Sequence, residues 1–364
     1  MESLHVQKPL WVSAVSAVII ALQRILRNDR ELMHRLSRSF VRPVHQFLSR
    51  LTGRVSFSVA EILILLAGGS FCVWLVVSIV RLLRKDGKRK QLVHIALTLL
   101  SAFLSIYAGF CLLWGVYYYG EDFGENTGIT ARAVSTEELE EVTSFFTDLA
   151  NSYAGLVPRD TDGVYAGDRA DILRRSATLY RNVETMLPVL HGPEVPVKPF
   201  FFSRLLSLTD FTGFFFPFTG EANVNIDFPP SLLPATVAHE IAHQRGVARE
   251  QEANFCAVLA SLESGDPEYG YSACLMAWTY LGNALYSADR ESWERQRDLL
   301  DERILRDFAA NQMYWQRFET PVQNISNTVY EGFLQSYDQE LGLKSYGACV
   351  DLLVGWYLES AHAS

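Results

Sequence analysis

Cysteine is scarce in this chain and never paired. Cys72, Cys111, Cys256, Cys274 and Cys349 include no CxxC, which argues against a cysteine zinc site, and their scatter argues against a disulfide framework. A basic surplus is missing too: 32 Lys and Arg stand against 41 Asp and Glu, a net charge of −9. Phosphate binding needs clustered cations, so no nucleic acid is expected as a partner. No internal repeat or low-complexity segment is visible. Charge of either sign is thin, 20% of residues against 49% hydrophobic, where soluble domains carry roughly 25%. The shortage lies in the first third.

There, Ile62–Val80 carries no charge, and neither does Leu92–Tyr119, which ends in Trp114, Tyr117, Tyr118 and Tyr119. Each is long enough to cross a hydrocarbon core of roughly 30 Å at about 1.5 Å per residue, and the terminal aromatics read as an interfacial belt. A third run, Leu10–Leu22, is short for a span and has no small-residue cleavage site after it, so it reads as an uncleaved anchor. Leu32, Leu36 and Phe40 recur four apart, as do Val44 and Leu48, among Arg27, Arg35, Arg38, Arg42 and Arg50. That pattern fits an amphipathic helix on a lipid bilayer or, equally, a connecting helix packed on protein. The loop Arg81–Gln91 holds Arg81, Arg84, Lys85, Lys88, Arg89 and Lys90. Such a dense basic loop is a cytoplasmic signal, which places everything after Tyr119 outside the cytoplasm. The Arg-rich segment 24–54 then lies outside as well, against the same rule. The expected organisation is a multi-pass membrane region over 1–119, with helices near 10–22, 62–80 and 92–119, and one extracytoplasmic domain over 120–364.

That domain reads as α+β, mostly helical, with a small sheet. After the polar stretch Glu121–Thr130, Ser135 and Glu138 form a capping box that starts a helix. A second helical pattern covers about Asp168–Leu187 and stops at Pro188. Pro196–Phe228 is rich in Phe and broken by Gly213, Pro217 and Gly220, which predicts short strands and turns. Helical periodicity returns from Pro234 to the end.

Within that last part, Ala238-His239-Glu240-Ile241-Ala242-His243 matches HExxH. On a helix, positions i and i+4 share a face, so both imidazoles can reach one Zn²⁺ at about 2.0–2.1 Å. Glu240, beside the first ligand, is placed to take a proton from the attacking water. Pro234 suits the first turn of this helix and Gly246 its end. A catalytic zinc needs a third protein ligand and one open position, and Arg249-Glu250-Gln251-Glu252-Ala253-Asn254 follows directly. Glu250 is the preferred ligand, with Glu252, about 200° around a helix, as the alternative. Asn254 shares the face of Glu250 and can orient a histidine, and small Ala253 permits close helix approach. Weaker candidates are Glu221, Asn223 and Asn225, as cleft residues or as a turn held by Asn side chains. Tyr271, Tyr280 and Tyr330 are candidate donors to a developing oxyanion. His191 and His362 lack ligand spacing and read as surface residues.

The Glu-x-x-Ala-Asn spacing after HExxH resembles the glutamate helix of gluzincin-type metallopeptidases. Over nearly its whole length the chain resembles a bacterial membrane family catalogued as domain of unknown function 3810. The resemblance rests on Trp114-Gly115-Val116-Tyr117-Tyr118, Thr219-Gly220-Glu221-Ala222-Asn223-Val224-Asn225 and His239 through Gly246. It continues through Glu252-Ala253-Asn254-Phe255, Tyr271-Ser272, Ser345-Tyr346-Gly347 and Asp351-Leu352-Leu353. It implies a zincin-like, peptidase-like domain without an established substrate. In gluzincins an edge strand ahead of the metal helix pairs with substrate backbone, which on this chain corresponds to Gly213–Asn225. The expected activity is hydrolysis of peptide bonds in a peptide or protein by one metal-activated water, with one Zn²⁺ per chain. The alternative is a catalytically silent domain of the same fold that binds or signals at the cell envelope. A transporter is disfavoured because the interiors of the spans hold no Asp, Glu, Lys or Arg.

Overall fold

The charge-free runs become long helices, and a backbone that must satisfy its own hydrogen bonds in lipid has few other options. The structure is a computed structural model that describes residues 2–84, 87–129, 134–336 and 346–363. Thr130, Lys85 in the basic loop and Ser345 lie outside the described residues, as does the side chain of His362. Two compact units emerge. The first comprises 1–45, 59–121 and 217–219; the second comprises 46–58, 122–216 and 220–364. Thus 46–58 and 217–219 each belong to a unit that a single cut near 119 would not give them.

In the first unit, α1 (Glu2–Leu26), α4 (Val59–Arg84) and α5 (Lys88–Leu113) are each long and apolar enough to cross a membrane. The N-terminal run is longer than its apolar centre suggests. Gln7–Leu26 makes a full-length candidate because Gln7, Lys8 and Arg24 fall near its ends and are exposed, where long polar side chains can reach water. Helix α5 stops at Leu113, short of the aromatic end expected of it. Gly115–Tyr119 is a separate 3₁₀ turn, since glycine followed by β-branched and aromatic residues supports an α-helix poorly. The indole of Trp114 donates to the Tyr118 hydroxyl at 3.1 Å, and Arg27 donates to Tyr119 at 3.0 Å. Both α1 and α4 pack on α5.

Between the spans, α2 (Arg30–Leu36), a π turn (Ser37–Val41) and α3 (Arg42–Thr52) run on continuously. Met33, Ser37, Val41, His45 and Ser49 are buried, every fourth residue, while Phe40 and Phe47 are exposed. The protein-packed stripe is therefore offset from the Leu32–Leu36–Phe40 stripe.

In the second unit, segment 46–58 is built into the fold. Ser49 donates to the Gly220 carbonyl, Lys198 to the Val55 carbonyl and Ser58 to Asn223 Oδ1. Helix α6 (Phe123–Thr127) is capped by Asp122 and α7 (Thr136–Ala154) by the Ser135–Glu138 box. The pattern expected to give one helix from 168 gives two short ones, α8 (Arg169–Arg175) and α9 (Val183–Met186). Ser176 ends the first by donating to Leu173 O and accepting from Val197 N, a local competition that short hydroxyl side chains win at helix ends.

The Phe-rich region forms β1 (Lys198–Phe200), α10 (Ser203–Leu208), β2 (Gly213–Phe216) and β3 (Glu221–Asn225). The sheet order is β1-β3-β2, with β1 parallel and β2 antiparallel to β3. Helices α11 (Leu233–Gln244), α12 (Glu250–Glu263), α13 (Pro267–Ala288), α14 (Arg290–Asp298), α15 (Glu302–Trp315), α16 (Pro321–Ser336) and α17 (Tyr346–Ala363) complete it. Helix α11 packs on β2, β3, α12 and α13, so the HExxH helix lies at the centre of a core that holds Phe146, Ile241, Phe255 and Leu275.

Candidate metal centre

Helix α11 positions the two histidines. It carries Pro234 in its first turn and ends in a reversal in which Gly246 adopts φ 93°, a conformation that costs glycine little. Val247 N then returns to Ala242 O at 3.1 Å, and the Val247 carbonyl accepts from His243 Nδ1 at 2.7 Å. Asn254, one turn into α12, accepts from His239 Nδ1 at 2.8 Å. Each ring has its Nδ1 proton tied down, so each turns Nε2 to the same point.

Glu250 occupies that point. Its Oε2 lies 3.2 Å from His239 Nε2 and 3.6 Å from His243 Nε2. Ligands of a tetrahedral ion bonded at about 2.0–2.1 Å stand about 3.3 Å apart, so the spacing fits one zinc-sized cation. Among the described residues these three form the group whose ligand atoms all lie within 4.8 Å of one another. Glu252, the alternative, turns away. It accepts from Phe123 N at 3.2 Å and from Arg249 at 3.3 Å, which holds the start of α12 against α6.

Glu240 is buried beside the triad. Among the described residues its Oε2 has no hydrogen-bond partner, and burial, against the opposing pull of both histidines, pushes its carboxyl up to about 7. Gly213 explains how the carboxylate is held. A Cβ on that residue would stand 2.6 Å from Glu240 Oε1, so only a glycine lets the start of β2 lie so close. The sequence marks Gly213 as a chain breaker and as the start of the edge-strand stretch; its contact with Glu240 depends on tertiary approach, which sequence spacing does not report. Without a metal, burial of His243 would lower its pKa, but the Glu250 charge outweighs this and raises it to about 9; Glu250 is correspondingly held well below the carboxylate range.

The weaker candidates separate. β3 is the central strand, so Glu221, Asn223 and Asn225 neither form a turn nor line the cavity at the metal group; all three are buried. Asn223 accepts from Ser58, and Asn225 donates to Ser207 and to Phe211 O. The sheet edges are β1 and β2, and β2 is the one that begins beside Glu240. Tyr271 is buried in a separate cluster: it donates to Asp307, which pairs with Arg159 at 3.1 Å, and Arg159 donates to the Tyr271 hydroxyl at 3.0 Å. Tyr330 does reach the centre, donating to Glu250 Oε1 at 2.7 Å, and Tyr280 lines the adjoining cavity. His191 is exposed against Glu184.

No curated protein and no solved structure matches the chain. A family model does match, over residues 36–354, spanning the basic loop, the sheet and the whole His239–Glu250 group. The chain belongs to the family described as protein of unknown function (DUF3810).

Proposed function

We propose that this protein is a membrane-anchored zinc metallopeptidase whose zincin-like, gluzincin-type domain faces away from the cytoplasm. The observation that carries the reading is the convergence of His239 Nε2, His243 Nε2 and Glu250 Oε2 beside a buried Glu240 carboxylate with an unpartnered oxygen. When bound, a zinc ion would polarise a scissile carbonyl and acidify the attacking water. His239, His243 and Glu250 would hold it. Asn254 and the Val247 carbonyl fix the two rings. Glu240, poised near neutrality, accepts the proton of the attacking water and returns it to the leaving amine. β2 is an outer strand of the sheet and begins at the residue that touches Glu240, so an extended peptide can add there as a strand.

Support for the orientation comes from chain parity. Segments 46–58 and 122–216 belong to one folded unit, and α4 and α5 lie between them. If both cross the bilayer, the unit stays on one side and the basic loop between the two helices lies on the other. Arg50 and Arg54 then belong to a folded domain, which removes those two from the conflict with the charge rule and leaves the arginines of 24–42 in it.

The test is the full-length chain purified in detergent, with about one zinc per chain expected. Glu240→Gln should retain that zinc and lose peptide cleavage by about 10²–10⁴-fold. Wild-type turnover in Glu240→Gln would defeat the hydrolase reading and favour a binding or signalling role.

A further inference from the structure

A cavity of about 370 Å³ opens directly from the metal group. It falls at the small end of the ~300–1,000 Å³ range of ligand pockets. Its wall has a simple origin. Met276, Thr279, Tyr280 and Asn283 recur at i, i+3, i+4 and i+7 along α13 and form one face of that helix. Opposite them stand Asn311 and Trp315 of α15, and the ring of Trp315 lies 6.1 Å from that of Phe228. At its inner end the cavity reaches His239 and Glu250.

What the wall lacks is decisive. Among the described residues, no Lys, Arg, Asp, Glu or His lines it beyond His239 and Glu250. A charged side chain placed there would lose its hydration without a counter-ion. The polar groups present are neutral, and two have spent their protons: Thr279 Oγ1 donates to Leu275 O, and Thr236 Oγ1 to Leu232 O. The Trp315 indole donates to Asn311 Oδ1 at 3.2 Å. Apolar surface from Met276, Phe228 and Trp315 covers the rest.

We infer that this cavity is the subsite for one substrate side chain flanking the cleaved bond, and that it selects a bulky uncharged residue, aromatic or long aliphatic. This rests on the metallopeptidase reading and adds specificity to it. The side chain would lie between α13 and α15, with Asn283, exposed at the rim, marking where the next part of the substrate leaves.

The experiment uses zinc-loaded full-length protein in detergent and four peptidyl hydroxamates that differ at one side chain: Phe, Leu, Asp and Lys. Acetohydroxamate, which has no side chain, serves as control. Calorimetric Kd values should favour Phe and Leu over Asp and Lys by at least about tenfold, the discrimination a single pocket group supplies. Thr279→Asp should move the preference toward Lys by a similar factor; Asn283→Asp at the exposed rim makes the same test if the first variant does not fold. A benzoylphenylalanine analogue should photolabel Met276 or its neighbours on α13, with or without a chelator. Equal Kd values for all four compounds alongside measurable acetohydroxamate binding would overturn the inference and leave the metal site standing. Failure of acetohydroxamate itself to bind would fall on the metallopeptidase reading. Photolabelling confined to elements other than α13 and α15 would overturn the inference in either case.

Discussion

Leu66 on α4 and Leu299 after α14 are almost equally exposed, at 62% and 59%, yet they belong to units that treat exposure oppositely. On the long helices of the first unit many apolar side chains are exposed and several hydroxyls are buried. Leu63, Val73 and Phe103 are exposed, whereas Ser16, Ser78 and Ser101 are buried. In the second unit the apolar side chains fill the interior, and the buried charges include two clusters, the metal group and the Arg159–Asp307–Tyr271 cluster. One hydrophobic rule, applied against two solvents, gives both patterns, and its strength differs at matched exposure.

The sharpest break in this contrast is at the metal group, where polarity is placed for use. His239→Ala or His243→Ala should abolish zinc binding in the full-length chain while the spans still insert, checked by metal analysis beside membrane extraction. Wild-type zinc content in either variant would rule out the site. The second buried cluster is structural, so Arg159→Met, which leaves the Asp307 carboxylate without its counter-charge, should cost about 3–5 kcal/mol in chemical denaturation of the second unit and leave zinc stoichiometry unchanged. A destabilisation below 1 kcal/mol would show that the pair is solvated. Next comes the matched pair. Leu66→Arg should cost about 2.5–3.5 kcal/mol of insertion, whereas Leu299→Arg should stay within about 0.5 kcal/mol; equal effects would remove α4 from the bilayer.

Smaller still, Asn254→Ala frees the His239 ring and should weaken zinc binding about 10–100-fold, read by competition with a chromophoric chelator. An unchanged affinity would mean that the ring is held by packing alone. The subtlest effect is of pH on the chelator-treated protein. His243 titrates near 9 when folded against about 6.5 when unfolded, so its contribution is complete below 6.5 and lost as pH rises through 9. Glu240, raised to about 7, likewise favours the folded state less as pH climbs from its ordinary range to 7. Glu250, depressed, acts in the other direction only at acid pH. The metal-free melting midpoint should therefore fall between pH 6.5 and 9; a rise over that interval would contradict the His243–Glu250 pairing.

Much of the centre was legible because its determinants are local. His239, Glu240, His243, Glu250 and Asn254 fall on two successive helices joined at Gly246, so helical spacing alone sets their faces. Glu250 and Glu252 could be told apart only once Phe123, far back in the chain, was seen to engage Glu252. Tyr271 misled for the same reason: its partners, Arg159 and Asp307, are distant in sequence and no motif links them. Glu221, Asn223 and Asn225 look like turn residues by composition, yet the two flanking strands bury them. The cavity wall on α13 and α15 was invisible, since a face lined by Met, Thr, Tyr and Asn has no periodic signature against a mixed background.

One consequence of α12 concerns time. The helix carries Glu250 and, one turn on, the Asn254 that aims His239, while Glu252 on its other side fastens it to α6. A bound ion then cannot shed Glu250 by a side-chain rotation alone without Asn254 still presenting His239 for recapture. If the group holds an ion, its release would wait for the helix to lift as a body, an opening of the kind that hydrogen exchange reports as a cooperative local unit. The residence of a metal here should track the opening rate of α12, so that loosening Glu252 from Phe123 would shorten it without touching a single ligand.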